Sequence, residues 1–377
     1  MAKRSTQPPA PSAGLPPNLR ARIKALHEHL AETDADALLV TNPRDIRYLT
    51  GFVGDDSWAL VRRRSTRVHV LSDFRFGEQI AREAPHVSAI MRKRPLAEEL
   101  KHLADRLHVA KLGVQPAHVS LAERKVLARQ LGSRRLAELD DRLLEQRSVK
   151  SDAELAAIRR AIRIQESAFQ VTLMHIEPGM REREIAAHLE YQMRLAGAEG
   201  RSFPTIVAAD ANASLPHAVP GEKRVRRGGI VLIDWGARYG GYCSDLTRVV
   251  AIGRMKPKLR EIYSIVRDAQ WAGIEAVGPG KPMKEVDAAA RQVIERAGYG
   301  RQFGHSLGHG IGMDIHELPT LSPRSEGELE PGQVVTIEPG IYLPGVGGVR
   351  IEDDVLVTDR GRRVMSRLPK DLESAII

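Results

Sequence analysis

Cysteine is almost absent: Cys243 stands alone in 377 residues. No intrachain disulfide framework can form, and a reducing compartment, the cytoplasm, suits such a chain best. Long apolar runs are missing too. None approaches the roughly 18 residues of a membrane span, so no membrane partner is expected. The opening MAKRSTQPPAPSAGLPP lacks the apolar stretch of a secretory signal. It is basic, then proline-rich, and reads as a disordered tail over residues 1–17. Long basic runs are absent as well. The formal net charge is +9, yet the basic clusters are as short as Arg62-Arg63-Arg64, Arg92-Lys93-Arg94 and Arg226-Arg227. A nucleic-acid module would present a longer run or a recognised motif, so the charge reads as a solvated surface and no nucleic acid is expected.

What is present is enough apolar residue, 42%, for a sizeable core, in a length that suits one large or two ordinary domains. From Asn18, Leu19, Ile23, Leu26 and Leu30 recur at helical spacing. "ADALLVTNP", "WALVRR", "VHVLSD" and "KLGV" read as short strands. "FGEQIAREA", "LAEELKHLADRLH" and residues 120–131 read as helices. Strands alternating with helices predict an α/β domain over 18–146. Over 147–377 the character changes. Ser151 with Glu154 predicts a capping box on a long helix that stops at "EPG", residues 177–179. A second helix follows over 182–196, and a helix pair over 258–298 is joined by "GPGKP". That "GPGK" is no phosphate loop, because the earlier glycine is missing and Pro282 stands where Ser or Thr is required. The rest reads as glycine-rich strands, so the second domain is expected to be helices laid on one antiparallel sheet, an α+β arrangement.

Two acidic hairpins stand out. "GGIVLIDWG" and "YCSDLTRVVAI" flank Tyr239-Gly240-Gly241, and the midpoint of Asp234 and Asp245 falls between residues 239 and 240. In a regular hairpin the two would face each other about 5 Å apart, where like charges repel. "VVTIEPGIY" and "GGVRIEDDVLV" repeat the pattern, with Glu338 and Glu352 symmetric about Gly345. Facing carboxylates need a shared proton or a cation between them. Between the hairpins lies "FGHSLGHGIGMDIHELP", with His305, His309 and His316. Its glycines at 304, 308, 310 and 312 favour extended backbone packed closely. Four carboxylates and an imidazole suit two divalent ions such as manganese better than a structural zinc. Two bridged ions can turn water into hydroxide near neutral pH and polarise a carbonyl, which predicts a dinuclear metallohydrolase.

The ordered set Asp234, Asp245, His309, Glu338 and Glu352 resembles the five metal ligands of the pita-bread metallopeptidases. The stretch HSLGHGIGMDIHE, His305 to Glu317, resembles the signature of their proline-specific branch, the aminopeptidase P and prolidase family. "ADALLVTNPRDIRYLTGF" is similar to the creatinase/prolidase N-terminal domain. Methionine aminopeptidases lack that domain and creatinase lacks the ligands, so both are disfavoured.

The resemblance implies roles. Asp234 would chelate one metal, Asp245 and Glu352 would bridge two, and His309 and Glu338 would bind the second. Glu338 would also carry the proton. His217, in "ASLPHAVPG", with His305 and His316 would contact substrate and assist catalysis. Arg350 would hold the bridging carboxylates from behind. Cys243, two residues before Asp245, reads as a small buried filler. The implied activity is hydrolysis of the Xaa-Pro bond at peptide N-termini through a metal-bridging hydroxide, as in aminopeptidase P. The implied metal is Mn²⁺, with Co²⁺ or Zn²⁺ as alternatives. Peptides with proline second would be the substrates, and a homodimer the assembly. The alternatives are an Xaa-Pro dipeptidase, a hydrolase of another C–N bond, and a non-catalytic binding protein of the same fold.

Overall fold

The computed structural model describes residues 14–377. Most of the expected tail, residues 1–13, lies outside the described residues. The chain divides between Gln146 and Arg147 into two compact units. In the first, α1 (Pro17–Ala31), β1 (Ala37–Val40), α2 (Pro43–Thr50), β2 (Trp58–Arg62), β3 (His69–Ser72), α3 (Gly77–Glu83), β4 (Ser88–Met91), α4 (Leu96–Arg106), β5 (Leu112–Val114), α5 (Leu121–Leu131) and β6 (Leu136–Glu138) follow in order, and α6 (Arg142–Ser148) crosses the boundary. The strands form one mixed sheet in the order β4-β3-β2-β1-β5-β6. β1, β5 and β6 run parallel, while β2 is antiparallel to both its neighbours. Leu39, Leu60 and Leu71 of the sheet pack with Leu100, Leu103 and Leu127 of the helices in one core. Each such side chain contributes roughly 1.5–3 kcal/mol by leaving water.

Helix α2 departs from the expectation that Asn-Pro merely ends a strand. Asn42 accepts the Arg44 N–H, Pro43 sits in the first turn, and Gly51 closes the helix at φ 79°. A cap residue followed by proline is also a helix start, and only the packing of Ile46 and Leu49 decides between the two. Strands β4 and β6 were likewise not legible, because β4 has no buried residue and β6 only Leu136, so neither carries a buried apolar run.

The second unit opens with α7 (Asp152–Leu173) and α8 (Glu182–Leu195). Glu154 Oε2 accepts from Ser151 N at 3.0 Å and from its hydroxyl at 2.6 Å, which closes the expected capping box. Helix α7 ends at Leu173, before "EPG", because His175 N turns to the Thr172 carbonyl in a tightened last turn. Then come β7 (Gly200–Arg201), β8 (Ile206–Ala209), β9 (Ile230–Trp235), β10 (Ala237–Tyr239), β11 (Tyr242–Cys243) and β12 (Leu246–Ala251). The pair α9 (Pro257–Ala276) and α10 (Met283–Arg296) follows. The chain closes with β13 (Gly308–Gly310), β14 (Glu317–Leu321), β15 (Val334–Ile337), β16 (Gly340–Leu343), β17 (Gly347–Arg350), β18 (Asp353–Thr358) and β19 (Gly361–Val364).

The expected single antiparallel sheet is instead four: β12-β9-β8, β11-β10-β7, β14-β13-β15-β18-β19 and β16-β17. Breaks fall beside the acids: at Gly236 after Asp234, at Asp245, and at Glu338 and Glu352. Two cores flank the sheets. One carries α9 and α10 through Ile262, Val266 and Ala290. The other carries α7 and α8 through Phe169, Ile185 and Leu189, with Phe169 stacked on Trp235 at 4.3 Å.

Candidate metal centre

Gly240 and Gly241 take φ of 60° and 83°, a conformation that glycine adopts without strain, and they form the two-residue turn of the first acidic hairpin. Tyr239 therefore pairs with Tyr242, and the same count puts Trp235 opposite Leu246 and Asp234 opposite Thr247. Asp234 and Asp245 do not face each other as expected. The turn lies one residue later than the midpoint of the two acids, which shifts the register by two. A shift of two keeps the side-chain face, so the aspartates become diagonal neighbours on one face. The second hairpin matches expectation. Ile337 pairs with Asp353 and Gly340 with Arg350, a common register that sets Glu338 opposite Glu352.

His309 arrives on β13. A Cβ at Gly308 would meet the Thr336 carbonyl at 1.9 Å, and one at Gly310 the Leu318 carbonyl at 2.1 Å. Glycine is required at both for the strand to lie this close. Gly304, by contrast, faces open space, so close packing does not explain it. His309 Nε2 lies 3.3 Å from Glu338 Oε1 and 3.7 Å from Asp245 Oδ2. Ligand atoms of Asp245, His309 and Glu352 all fall within 4.8 Å of one another. Asp234 joins them through Arg350, whose Nη2 donates to Asp234 Oδ2 at 2.5 Å. The Arg350 Nε donates to Thr247 Oγ1, which in turn donates to Glu352 Oε2 at 2.6 Å.

Asp234 and Glu352 are thus each oriented by one oxygen. Their other oxygens, Asp234 Oδ1 and Glu352 Oε1, and also Asp245 Oδ1, are buried with no hydrogen-bond partner. Unpartnered buried oxygens are costly, and in a group of acids they mark where a cation belongs. Burial first, and then the neighbouring carboxylates, push Asp245 and Glu352 well above the usual carboxylate range. Burial likewise raises Asp234, against the pull of Arg350. For Glu338 burial also acts upward, but the hydrogen bond and charge of His309 outweigh it and hold the group at about 2. Divalent cations would offset the repulsion, and the donor set of four carboxylates and one imidazole fits them.

The other site histidines surround this centre unevenly. His316 is exposed, its ring edge-on to His309 at 4.4 Å. His305 is half-buried, and burial lowers its pKa. Its Nε2 lies 3.0 Å from the Tyr342 hydroxyl, which also accepts from Arg350 Nη1 at 2.8 Å. His217 is exposed on the segment after β8, close enough to bear on His316 electrostatically. Cys243 is fully buried, with its thiol 3.8 Å from the Met313 carbonyl. Sequence reasoning missed Tyr342, Thr247 and Asp354, which accepts the Asp245 N–H at 3.2 Å. Tyr342 was findable. It pairs with Gly348, two residues from Arg350, and so shares its face.

Residues 156–359 match the metallopeptidase family M24, and residues 22–149 match the creatinase/prolidase N-terminal domain. The chain belongs to metallopeptidase family M24. Among relatives of this family, a peptidase of Bacillus subtilis is 37% identical over 93% of the chain and 99% of its own length. An Xaa-Pro dipeptidase from Bacillus anthracis superposes with a TM-score of 0.91 at 38% identity, covering 96% of this chain and all of that one. An X-Pro aminopeptidase from Thermotoga maritima does so with a TM-score of 0.86 at 36% identity, over 93% and 100%. The M24 member described here therefore has the pita-bread catalytic domain and is a metallopeptidase. No described helix is long and apolar enough to cross a membrane.

Proposed function

We propose that the protein hydrolyses the bond before proline in peptides that carry proline second. The observation that carries this is the set of buried, unpartnered carboxylate oxygens beside His309, in a chain of family M24. Asp234, Asp245, His309, Glu338 and Glu352 would hold two divalent cations. Such a pair, with Mn²⁺ favoured by the oxygen-rich donor set, lowers the pKa of water and polarises a carbonyl oxygen. Glu338, half-buried at the edge of the group, accepts the proton from water at a carboxylate oxygen and returns it to the leaving imide nitrogen. Arg350 and Thr247 keep Asp234 and Glu352 turned inward. His217, His305 and His316 orient the peptide and donate to the oxygen on which negative charge develops.

Of the two forms this activity can take, a dipeptidase has the wider support. The Bacillus anthracis protein and one from Pyrococcus horikoshii, 34% identical over 94% of the chain, are both named Xaa-Pro dipeptidases. An aminopeptidase P-like enzyme, the form expected from sequence, keeps the support of the Thermotoga maritima relative. A homodimer rests on the family resemblance, and a cytoplasmic site on the lone buried Cys243.

The test is hydrolysis of Ala-Pro, Ala-Pro-Ala and Ala-Ala-Ala by metal-stripped protein reloaded with Mn²⁺, Co²⁺ or Zn²⁺. Cleavage of Ala-Pro alone means a dipeptidase, and release of alanine from Ala-Pro-Ala an aminopeptidase. No cleavage with two ions bound would overturn the reading in favour of another C–N bond or a binding role.

A further inference from the structure

A second charged group lies close to the peptidase residues without touching the carboxylates. The side chains of Arg147, Lys150 and Glu317 are 3%, 0% and 1% exposed. The Arg147 Nε donates to Glu317 Oε1 at 3.2 Å and its Nη2 to Asp314 Oδ2 at 2.6 Å. Lys150 Nζ donates to Glu317 Oε2 at 3.3 Å and to the Ser148 carbonyl at 3.0 Å. Glu317 Oε1 also accepts the Asp314 N–H at 3.0 Å. Asp314 and Glu317 bracket Ile315 and His316, so one guanidinium grips both ends of the stretch that carries His316.

The neighbouring backbone allows little play. Gly312 donates to the Asp314 carbonyl and accepts from Cys243 N at 2.7 Å. A Cβ on Gly312 would stand 2.3 Å from Glu317 Oε2. Burial acts to raise Glu317, but Lys150 and then Arg147 hold it below the usual range, so the group stays ionised.

Buried ions are a poor way to gain stability, since apolar replacements of similar shape are often as stable. Nor are they needed to attach this segment. Val149 already bridges Gln333, and Lys150 N donates to the Gly332 carbonyl at 2.9 Å. What the ions add is direction. We propose that Arg147 and Lys150 are positioning residues of the peptidase site, which hold Asp314 and Glu317 so that His316 stays edge-on against His309. The proposal rests on the peptidase reading above.

Its test uses full-length protein, loaded with diamagnetic Zn²⁺ for the resonance and with the active metal for turnover, with histidine rings labelled at Cε1. The His316 resonance is identified by its loss in His316→Ala. Arg147→Gln is expected to move that resonance while remote His69 stays put, with metal content unchanged. On Xaa-Pro peptide kcat should fall at least about tenfold with KM within about threefold, the pattern of a misplaced group. Arg147→Lys should recover most of the loss. In the His316→Ala background Arg147→Gln should cost less than about threefold, because the two act through one group. If Arg147→Gln does not fold, Asp314→Asn, which leaves the Arg147–Glu317 pair in place, enters the same measurements. An unmoved His316 resonance, or losses that simply multiply, overturns the proposal. An inactive wild type overturns only the peptidase reading, since the resonance is still read.

Discussion

Asp45, His118 and Asp141 in the first unit have the same kind of membership as Asp245, His309 and Glu352 in the second. Each is two acids and an imidazole, with ligand atoms within 4.8 Å of one another. In the first unit the oxygens are spoken for. Asp141 accepts from His118 Nε2 at 2.8 Å, from Gln115 Nε2 at 2.7 Å and from Leu144 N at 3.2 Å. Asp45 Oδ2 accepts from Asn42 at 3.1 Å. Neither aspartate leaves a buried oxygen without a partner, and the orphan beside them is the neutral amide oxygen of Gln115. In the second unit four acids, Asp234, Asp245, Glu352 and the adjoining Asp354, each keep an oxygen unpartnered. Composition and proximity are therefore not the signal for a metal. Unsatisfied buried acceptors are, because only they lose energy until a cation arrives.

The largest test of this contrast is substitution of a proposed ligand. Asp245→Asn or Glu352→Gln should lower kcat/KM by about a thousandfold or more while circular dichroism is little changed. Wild-type turnover with unchanged metal content would place the site elsewhere. Stripping metal should act next most strongly, and on one unit only. With free metal a thousandfold above its Kd, its removal should cost the second unit about 4 kcal/mol and leave the first unit's unfolding where it was. A shift in both transitions, read by Trp58 and Trp235 fluorescence in single-tryptophan variants, would break the distinction.

Protons, rather than metal, should govern the first unit. His69 on β3 is pushed down to about 4 by burial, then by Arg62, Arg67 and Arg106. The unfolded chain takes up a proton near pH 6.5 and the folded one not until about 4. Stability is therefore full above pH 6.5 and falls as pH drops towards 4. At pH 5 the first unit should be about 2 kcal/mol less stable than at pH 7 in urea titrations, and His69→Leu should flatten that slope. His118→Ala should cost about 1–2 kcal/mol of first-unit stability with no change in bound metal or kcat. Loss of a metal ion on plasma emission analysis would erase the contrast. Smallest of all, Cys243→Ser should change stability by under about 1 kcal/mol and leave metal content alone. Lost metal would make its thiol part of the centre.

How far the site was legible depended on distance along the chain. The facing of Glu338 and Glu352 could be read because the strands on both sides of their hairpin keep one register. Asp234 and Asp245 were misplaced by two residues because Tyr239-Gly240-Gly241 offers two turn positions, and only the paired strands choose Gly240-Gly241. Asn42-Pro43 was read as a stop when it is also a start. Thr247, Asp354 and the Arg147–Glu317 clamp carry no local signal. Their roles come from partners 105 to 170 positions away.

Sequence by itself determined the Ser151–Glu154 capping box, the helical and strand periods, and the order of the acids and histidines. These follow from backbone preferences and side-chain spacing that act within a few residues. Tertiary structure alone decided that the second unit splits into four sheets, that its acids converge, and which oxygens each cluster leaves without a donor. Burial and hydrogen-bond satisfaction are properties of neighbours in space, and neighbours in space exist only once the chain has folded.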